Sequence, residues 1–201
     1  MNRRAMFKPL VQSLALALAA LLCACGGSTT EPPPLAGARI GGPFTLVDDD
    51  GRAVRWSDFA GQYRIVYFGY TYCPDVCPLD MQATMRGLAD YAKQHPALAK
   101  QIKAVFISID PQRDTPKVVG QFAAAISPNL IGLTGSPEQV ATAAKAFGTY
   151  YARGPATPGG GYLMDHSRTT YLMGRNGEPI AMLPADQGPQ AVAAELTKWV
   201  R

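Results

Sequence analysis

Cys73 and Cys77 are the residues of this chain best placed to do chemistry, because an apolar stretch delivers two thiols four residues apart at a predicted helix start. Four residues make about one helical turn, so in a helix both sulfurs lie on one face, within reach of one ion or of each other. Such a pair suits a redox couple or a soft-metal site. The best candidate for a third ligand is His166. Two thiolates and one imidazole favour copper, because thiolates suit Cu(I) and imidazole also accepts Cu(II).

The N-terminus is typical of an exported protein. Three basic residues precede an apolar stretch, residues 10–22, that is too short to span a bilayer comfortably, which predicts a signal peptide over residues 1–24. The stretch ends in Leu-Cys-Ala-Cys-Gly, which resembles a bacterial lipobox with Cys25 as the acceptor cysteine. An ordinary signal peptide cleaved elsewhere is the alternative. We expect a lipid on Cys25, an anchor in a bacterial membrane and a domain on the periplasmic face of that membrane.

The rest of the chain divides into a tether and one domain. Residues 25–40 are rich in Gly, Ser, Thr and Pro, which predicts an extended and poorly packed tether. Residues 41–201 have the length of a single domain with its own core. Without the signal peptide the 19 basic residues fall to 16 against 15 acidic ones, a net charge of about +1. No basic stripe indicates a nucleic-acid partner.

The hydrophobic pattern predicts an α/β fold with an N-terminal β-hairpin extension. Residues 43–56 form this hairpin, and two apolar runs predict central buried strands over residues 64–70 and 103–110. The other predictions are helices over 78–94, 115–126, 136–150 and 188–200, a glycine-rich loop over 155–161, and strands over 129–134, 162–165, 169–173 and 178–183. Strand-helix units followed by a β-hairpin and a last helix are the order of a thioredoxin-like fold.

The cysteine motif resembles that of the Sco family, also called SenC. Thioredoxin-type enzymes carry Cys-x-x-Cys at such a junction, whereas this chain has one extra residue and a proline after each cysteine. The resemblance runs from about residue 41 to the end and rests on three blocks: Thr-Tyr-Cys73-Pro-Asp-Val-Cys77-Pro, Ser-Ile-Asp110-Pro-Gln-Arg113-Asp114-Thr-Pro, and Leu-Met-Asp165-His166-Ser. It implies a thioredoxin-like fold, copper ligation by Cys73, Cys77 and His166, and a role in assembling the copper-A centre of cytochrome c oxidase.

Other interpretations remain for the ligand candidates. Cys73 and Cys77 also fit a structural disulfide, although a bond that closes so short a loop adds little stability. A lone histidine near a hairpin is more often a hydrogen-bonded surface residue than a ligand. We predict that Asp165 orients His166 or contacts a partner, since carboxylates fix the tautomer of a ligating imidazole. His95, the other histidine, is predicted to cap a helix or face solvent.

Neighbouring polar and sulfur-containing residues have structural interpretations as well. Asp110, Arg113 and Asp114 match a family block, but the sequence supports for them only a strand exit, an ion pair and a helix cap. Met81 and Met164 carry soft sulfur near the predicted site. The helical spacing of Met81 favours a place in the core rather than on the metal.

Two functions remain open. The first is a metallochaperone that binds Cu(I) or Cu(II) and delivers it to the copper-A subunit of cytochrome c oxidase, with other periplasmic copper chaperones or thiol reductants as further partners. The second is a periplasmic thiol-disulfide oxidoreductase in which Cys73 and Cys77 are the redox pair that reduces cysteines of the oxidase subunit or of other targets. His166 separates the two functions, because a reductase does not need a ligand there and a three-coordinate copper site does.

Overall fold

Nine strands and five α-helices succeed one another in residues 31–201, the part of the chain that the computed structural model describes. The strands are β1 (Thr45–Val47), β2 (Ala53–Arg55), β3 (Tyr63–Gly69), β4 (Ile102–Ser108), β5 (Leu130–Leu133), β6 (Tyr151–Ala156), β7 (Tyr162–His166), β8 (Thr170–Met173) and β9 (Pro179–Leu183). The helices are α1 (Val76–Gln94), α2 (Pro96–Ala99), α3 (Pro116–Ile126), α4 (Pro137–Ala146) and α5 (Pro189–Trp199).

A five-stranded mixed sheet in the order β5-β4-β3-β8-β9 forms the centre of the domain. β3, β4 and β5 pair in parallel, while β8 pairs antiparallel with β3 and β9 pairs antiparallel with β8. Every residue of β3 is buried, as a nearly continuous apolar run predicts for a strand covered on both faces. The sheet and its helices confirm the prediction of an α/β, thioredoxin-like fold. Because β3 leads directly toward the cysteine motif, the core fixes where that motif begins.

Local sequence signals explain where the helices start. Four of the helices begin with proline, at a position where the missing N–H costs nothing. Thr115 and Ser136 cap α3 and α4, and each side chain accepts a backbone N–H from the first turn. Helix α1 packs closely on α5, since a Cβ on Gly87 would lie 2.6 Å from the Cβ of Val192. This packing holds α1, and with it the cysteine motif, against the rest of the domain.

The N-terminal hairpin is confirmed, because β1 and β2 pair antiparallel. The compact unit begins at Pro33, and the backbone N–H of Leu35 donates to the carbonyl of Ile180 at 3.0 Å. The last part of the predicted tether therefore packs on β9. The predicted signal peptide and Cys25 lie outside the described residues. Across residues 31–201, none of the helices is both long enough and apolar enough to cross a membrane.

The chain between α4 and β8 differs from the prediction. We predicted a helix over 136–150 and a glycine-rich loop over 155–161 with no strand between them, but β6 lies there and pairs antiparallel with β7 in a separate two-stranded sheet. β6 contains Gly154 and Pro155, which weaken a strand signal, and a register shift between Arg153 and Ala156 accommodates them. This β6–β7 hairpin, which we define as Tyr151–His166, carries the histidine predicted as a ligand.

Candidate metal centre

The two cysteines lie at the junction between β3 and α1. Only Cys77 is helical, because α1 begins at Val76, two residues before the predicted start at 78. Cys73 precedes the helix, so the two thiols do not share one helical turn. The sulfurs are nevertheless close, since the backbone N–H of Cys77 points at the Cys73 sulfur with an N-to-S distance of 3.4 Å. Both thiols are free, and Cys73 is 8% exposed whereas Cys77 is fully buried. The Cys73 sulfur thus accepts a hydrogen bond from a backbone N–H in the first turn of α1, where N–H groups have no partner within the helix.

Gly69 at the end of β3 makes room for the Cys77 sulfur. A Cβ built on this glycine would lie 3.1 Å from the sulfur and 2.9 Å from ring atoms of both Tyr67 and Phe106. Real side chains do not tolerate such contacts without displacement of their neighbours. Glycine is therefore required at position 69 because neighbouring side chains approach its Cα closely, and not because of its backbone angles. In the sequence, this requirement is visible as a glycine shortly before the cysteine motif.

His166, the last residue of β7, brings its ring to the same place. Its Nε2 lies 3.3 Å from the Cys77 sulfur, and its Nδ1 lies 2.9 Å from the carbonyl oxygen of Ser167. A proton on Nδ1 donated to that carbonyl leaves the Nε2 lone pair directed at the sulfur and at any ion beside it. The carbonyl of Ser167, and not the exposed carboxylate of Asp165, therefore orients the imidazole. Tyr67 and Tyr70 flank the ring edge-on at 6.2 and 5.9 Å between centroids.

The three predicted ligands form one cluster. One donor atom each from Cys73, Cys77 and His166 lie within 4.8 Å of one another. Two sulfurs and one imidazole nitrogen fit copper by donor chemistry, because thiolates select Cu(I) and imidazole suits copper in both oxidation states. The same proximity of the two sulfurs also permits a disulfide. The geometry therefore accommodates both metal binding and thiol chemistry.

Burial dominates the electrostatics of this cluster. The pKa of the Cys77 thiol is raised well above its usual range, first by burial and then by its hydrogen bond to Cys73. Burial also lowers the pKa of His166. At neutral pH the metal-free site therefore holds a Cys77 thiol and a neutral imidazole. Metal binding must displace a proton from Cys77, whereas the imidazole is ready to coordinate.

Asp114 holds the segment that leads into the cysteines. Its carboxylate accepts hydrogen bonds from the Thr71 backbone at 3.0 Å, the Thr71 hydroxyl at 2.6 Å and the Ser108 hydroxyl at 2.5 Å. Asp114 is fully buried, and burial raises its pKa despite these donors. The prediction of a helix cap here was wrong by one residue, because Thr115 caps α3. The cause is that the Asp114 side chain turns inward to the cysteine loop.

Arg113 joins the cysteine loop to the β6–β7 hairpin. The predicted ion pair is present, with Arg113 Nε 2.5 Å from Asp110. The guanidinium also donates to the Tyr162 carbonyl at 2.8 Å and lies over the rings of Tyr162 and Tyr72, 3.6 and 4.8 Å from their centroids. Since Tyr72 precedes a cysteine and Tyr162 begins β7, this one side chain bridges the two regions that supply the predicted ligands.

A second bridge was missed by sequence reasoning. Arg168 donates from Nε and Nη2 to the two oxygens of Asp80, each at 2.6 Å, and the Tyr67 hydroxyl donates to the same carboxylate at 3.0 Å. Asp80 is buried on α1, one turn after Cys77, and Arg168 follows His166 by two residues. A charged residue, Asp80, at a core-facing position of α1 is the sequence signal that pointed to a buried partner.

The two methionines near the predicted site and the second histidine have structural positions. Met81 is fully buried in the core, and Met164 on β7 packs partly buried against that core. His95 ends α1, with its backbone N–H donating to the Tyr91 carbonyl at 2.9 Å and its ring 4.8 Å from that of Tyr91. His95 is thus a helix-end residue, as predicted.

The fold and the cluster together define a thioredoxin-like protein with a Cys-Cys-His site suited to a soft metal. Residues 32–201 match the SCO1/SenC family, and the chain belongs to that family. Protein SenC of Rhodobacter capsulatus is 42% identical over 159 residues, which cover 79% of this chain and 69% of that protein. The human mitochondrial SCO1 homolog is 35% identical over 162 residues, covering 81% of this chain but only 53% of the human protein.

Solved structures agree with this assignment. The structure of Bradyrhizobium japonicum ScoI with copper bound superposes with a TM-score of 0.71 at 36% identity, covering 80% of this chain and 99% of that one. Arabidopsis thaliana ScoI with copper bound gives 0.71 at 34% identity, covering 79% and 96%. Both similarities extend over nearly the whole described domain.

Proposed function

We propose that this protein binds one copper ion, as Cu(I) or Cu(II), through Cys73, Cys77 and His166. The observation that carries the proposal is the gathering of these three donor atoms within 4.8 Å. The donor set fits copper. Two similar proteins, 36% and 34% identical, have solved structures with copper bound, which supports the same cargo here.

We further propose that the protein is a chaperone that passes copper to the copper-A subunit of cytochrome c oxidase by exchange of ligands. The oxidase as target follows from the family resemblance. Transfer requires that the recipient approach the ligands, and three large apolar side chains next to them in sequence are exposed: Tyr72, Leu79 and Leu163. Exposed apolar side chains of this kind suit contact with another protein.

A thiol-disulfide oxidoreductase is the second candidate, favoured by two free sulfurs close enough to join. Cys73 is the better nucleophile of the two because it is the more exposed and Cys77 is held as a thiol. In that reaction the Cys73 thiolate attacks a target disulfide, and Cys77 then attacks the mixed disulfide, so that the target gains two electrons and this protein becomes oxidised.

The proposed location is the periplasmic face of a bacterial membrane, with a lipid on Cys25. Mass spectrometry of the mature N-terminus tests it. We expect a lipidated Cys25 as first residue, and release or misprocessing of a Cys25→Ser variant. An unmodified N-terminus that begins at another residue would end this part of the proposal.

Oxidase assembly in cells at limiting copper separates the chaperone from the reductase. A chaperone needs His166, so a His166→Ala strain should lose oxidase activity as a Cys73→Ser strain does. His95→Ala is the matched control, since this histidine lies at the end of α1 against Tyr91. If the His166→Ala strain assembles oxidase normally while the Cys73→Ser strain fails, the reductase replaces the chaperone.

A further inference from the structure

Four side chains form a continuous stack that begins beside Cys73 and ends on the β6–β7 hairpin. The guanidinium of Arg113 lies 4.8 Å from the ring centroid of Tyr72 and 3.6 Å from that of Tyr162. The guanidinium of Arg153 lies 3.8 Å from the same Tyr162 centroid. Two guanidinium groups at these distances do not fit on one face of a ring, so they cover its two faces. We call Tyr72, Arg113, Tyr162 and Arg153 the Tyr–Arg stack.

Hydrogen bonds fix the inner part of this stack. The Tyr162 hydroxyl donates to Asp110 at 2.8 Å, and Arg113 donates to the Tyr162 carbonyl at 2.8 Å. Asp110 is buried and also forms the ion pair with Arg113. The Tyr162 ring is therefore held at its hydroxyl and at its backbone. Because the ring is fixed, the stacked guanidinium of Arg153 has little side-chain freedom left to lose when it binds a partner.

The outer guanidinium, that of Arg153, has no acidic partner. Arg153 is exposed, and none of the ion pairs within residues 31–201 includes it. The register pairs Arg153 with Met164, so these two side chains share one face of the hairpin and the neighbouring Asp165 lies on the other. A stacked arginine without a carboxylate of its own is prepared for a bidentate pair with a carboxylate from another molecule.

A mostly apolar recess of about 190 Å³ adjoins this guanidinium. Arg153, Tyr162 and Met164 line it from the hairpin, and residues 109–112 line it from the segment that follows β4. Met164 and His166 lie on the same face of β7, because alternate residues of a strand share a face. The recess and Arg153 are therefore on the face of the hairpin that carries the imidazole.

We propose that the Tyr–Arg stack and this recess are the docking surface for the copper-A subunit, with an acidic side chain of the subunit paired to Arg153 and an apolar one in the recess. The inference rests on the proposed chaperone function. Tyr72 directly precedes Cys73, and Arg153 shares a hairpin face with His166, so a partner held here lies beside the proposed ligands. Tyrosine and arginine are also enriched at the centres of protein interfaces.

The rate of copper transfer from the loaded full chain to the metal-free copper-A subunit, at low and at high salt, is the direct test. Arg153→Ala should slow transfer about tenfold at low salt and Arg153→Glu about a hundredfold, because an interfacial charge acts on association. The rate should depend less on salt in Arg153→Ala than in the unaltered chain. Arg153→Lys, which keeps the charge, should restore part of the rate. Copper affinity should stay unchanged in all three variants, since Arg153 is not a donor to the metal.

Arg175→Ala is the matched control. The Arg175 guanidinium lies 5.0 Å from the ring centroid of Tyr63, which begins β3, whereas the cysteines follow the end of that strand. This variant should transfer copper like the unaltered chain. An unchanged rate and salt dependence in Arg153→Ala, or an equal loss in Arg175→Ala, would overturn the docking surface and leave the chaperone function intact. If the unaltered chain binds copper but passes none to the subunit, the chaperone function fails, and the docking surface fails with it.

Discussion

The region that carries the cysteines and the region that carries the histidine are held by the fold in different ways. The cysteine junction continues a fully buried central strand, and Asp114 fixes its loop through three hydrogen bonds. The β6–β7 hairpin lies outside the central sheet, and none of its residues is fully covered. The thiols thus belong to the core, whereas the imidazole comes from the β6–β7 hairpin, outside the central sheet.

This difference suggests a division of labour between the ligands. A buried pair of thiols keeps its geometry whether or not a metal is present, which suits retention of Cu(I). An imidazole on an outlying hairpin can be displaced at lower cost, because fewer buried contacts oppose its movement. We infer that sulfur supplies most of the affinity and that His166 supplies most of the preference between oxidation states.

Cys77→Ser should have the largest effect on copper. Loss of a direct thiolate ligand should weaken Cu(I) binding more than about a hundredfold, since even loss of a group behind the ligands costs tenfold to a hundredfold. Competition with a Cu(I) chelator measures it. Equal Cu(I) affinity in Cys77→Ser and in the unaltered chain would remove Cys77 from the site.

His166→Ala should weaken Cu(II) by about tenfold to a hundredfold and Cu(I) much less, because Cu(II) has the stronger preference for nitrogen. Absorption in the sulfur-to-Cu(II) charge-transfer region should disappear or shift strongly. Disulfide exchange with a small thiol should stay within roughly tenfold, since both cysteines remain. Equal weakening of the two oxidation states would contradict the division of labour.

Copper affinity should rise with pH. The pKa of Cys77 is raised by burial, so copper binding releases its proton, and affinity should increase about tenfold per pH unit for each proton released. The pKa of His166 is lowered, so its proton competes only at acidic pH, where the dependence should steepen for Cu(II). Titration across neutral and acidic pH measures both. A flat profile for Cu(I) would mean that Cys77 gives up no proton.

Arg113→Ala should have the smallest effect. It removes the bridge between the cysteine loop and the hairpin, so it should lower Cu(II) affinity about twofold to fivefold and leave Cu(I) nearly unchanged. Arg153→Ala is the control, because this guanidinium lies over the same Tyr162 ring at 3.8 Å but reaches no cysteine-loop residue among the contacts of the described chain. A loss of Cu(I) affinity in Arg113→Ala would show that the cysteine loop also depends on the bridge.

The sequence was sufficient to predict the central strands and to propose three ligands. Long apolar runs identify β3 and β4 because burial on both faces leaves little alternation. The three predicted ligands were recognisable by residue type and motif. Their proximity was not predictable, because the position of β7 beside the cysteines depends on contacts between segments far apart in the sequence, such as that of Arg113 with the Tyr162 carbonyl.

The supporting contacts were not predictable from the sequence. Asp80 and Arg168 are 88 residues apart, and a local pattern carries no information on which distant charge a buried carboxylate meets. β6 was missed because Gly154 and Pro155 argue against a strand and its pairing with β7 outweighs them. Asp114 was assigned to a helix cap because local capping rules cannot foresee a carboxylate that turns toward Thr71.

X-ray absorption at the copper edge, combined with a thiol count, tests the central claim most directly. The reduced full chain should take up one copper, and Cu(II) should show two sulfur ligands and one imidazole nitrogen from this protein. The thiols of Cys73 and Cys77 should become unreactive when copper binds. Prior oxidation of Cys73 and Cys77 to a disulfide should abolish copper binding. Equal copper uptake before and after oxidation, or a copper edge without sulfur ligands, would contradict the account.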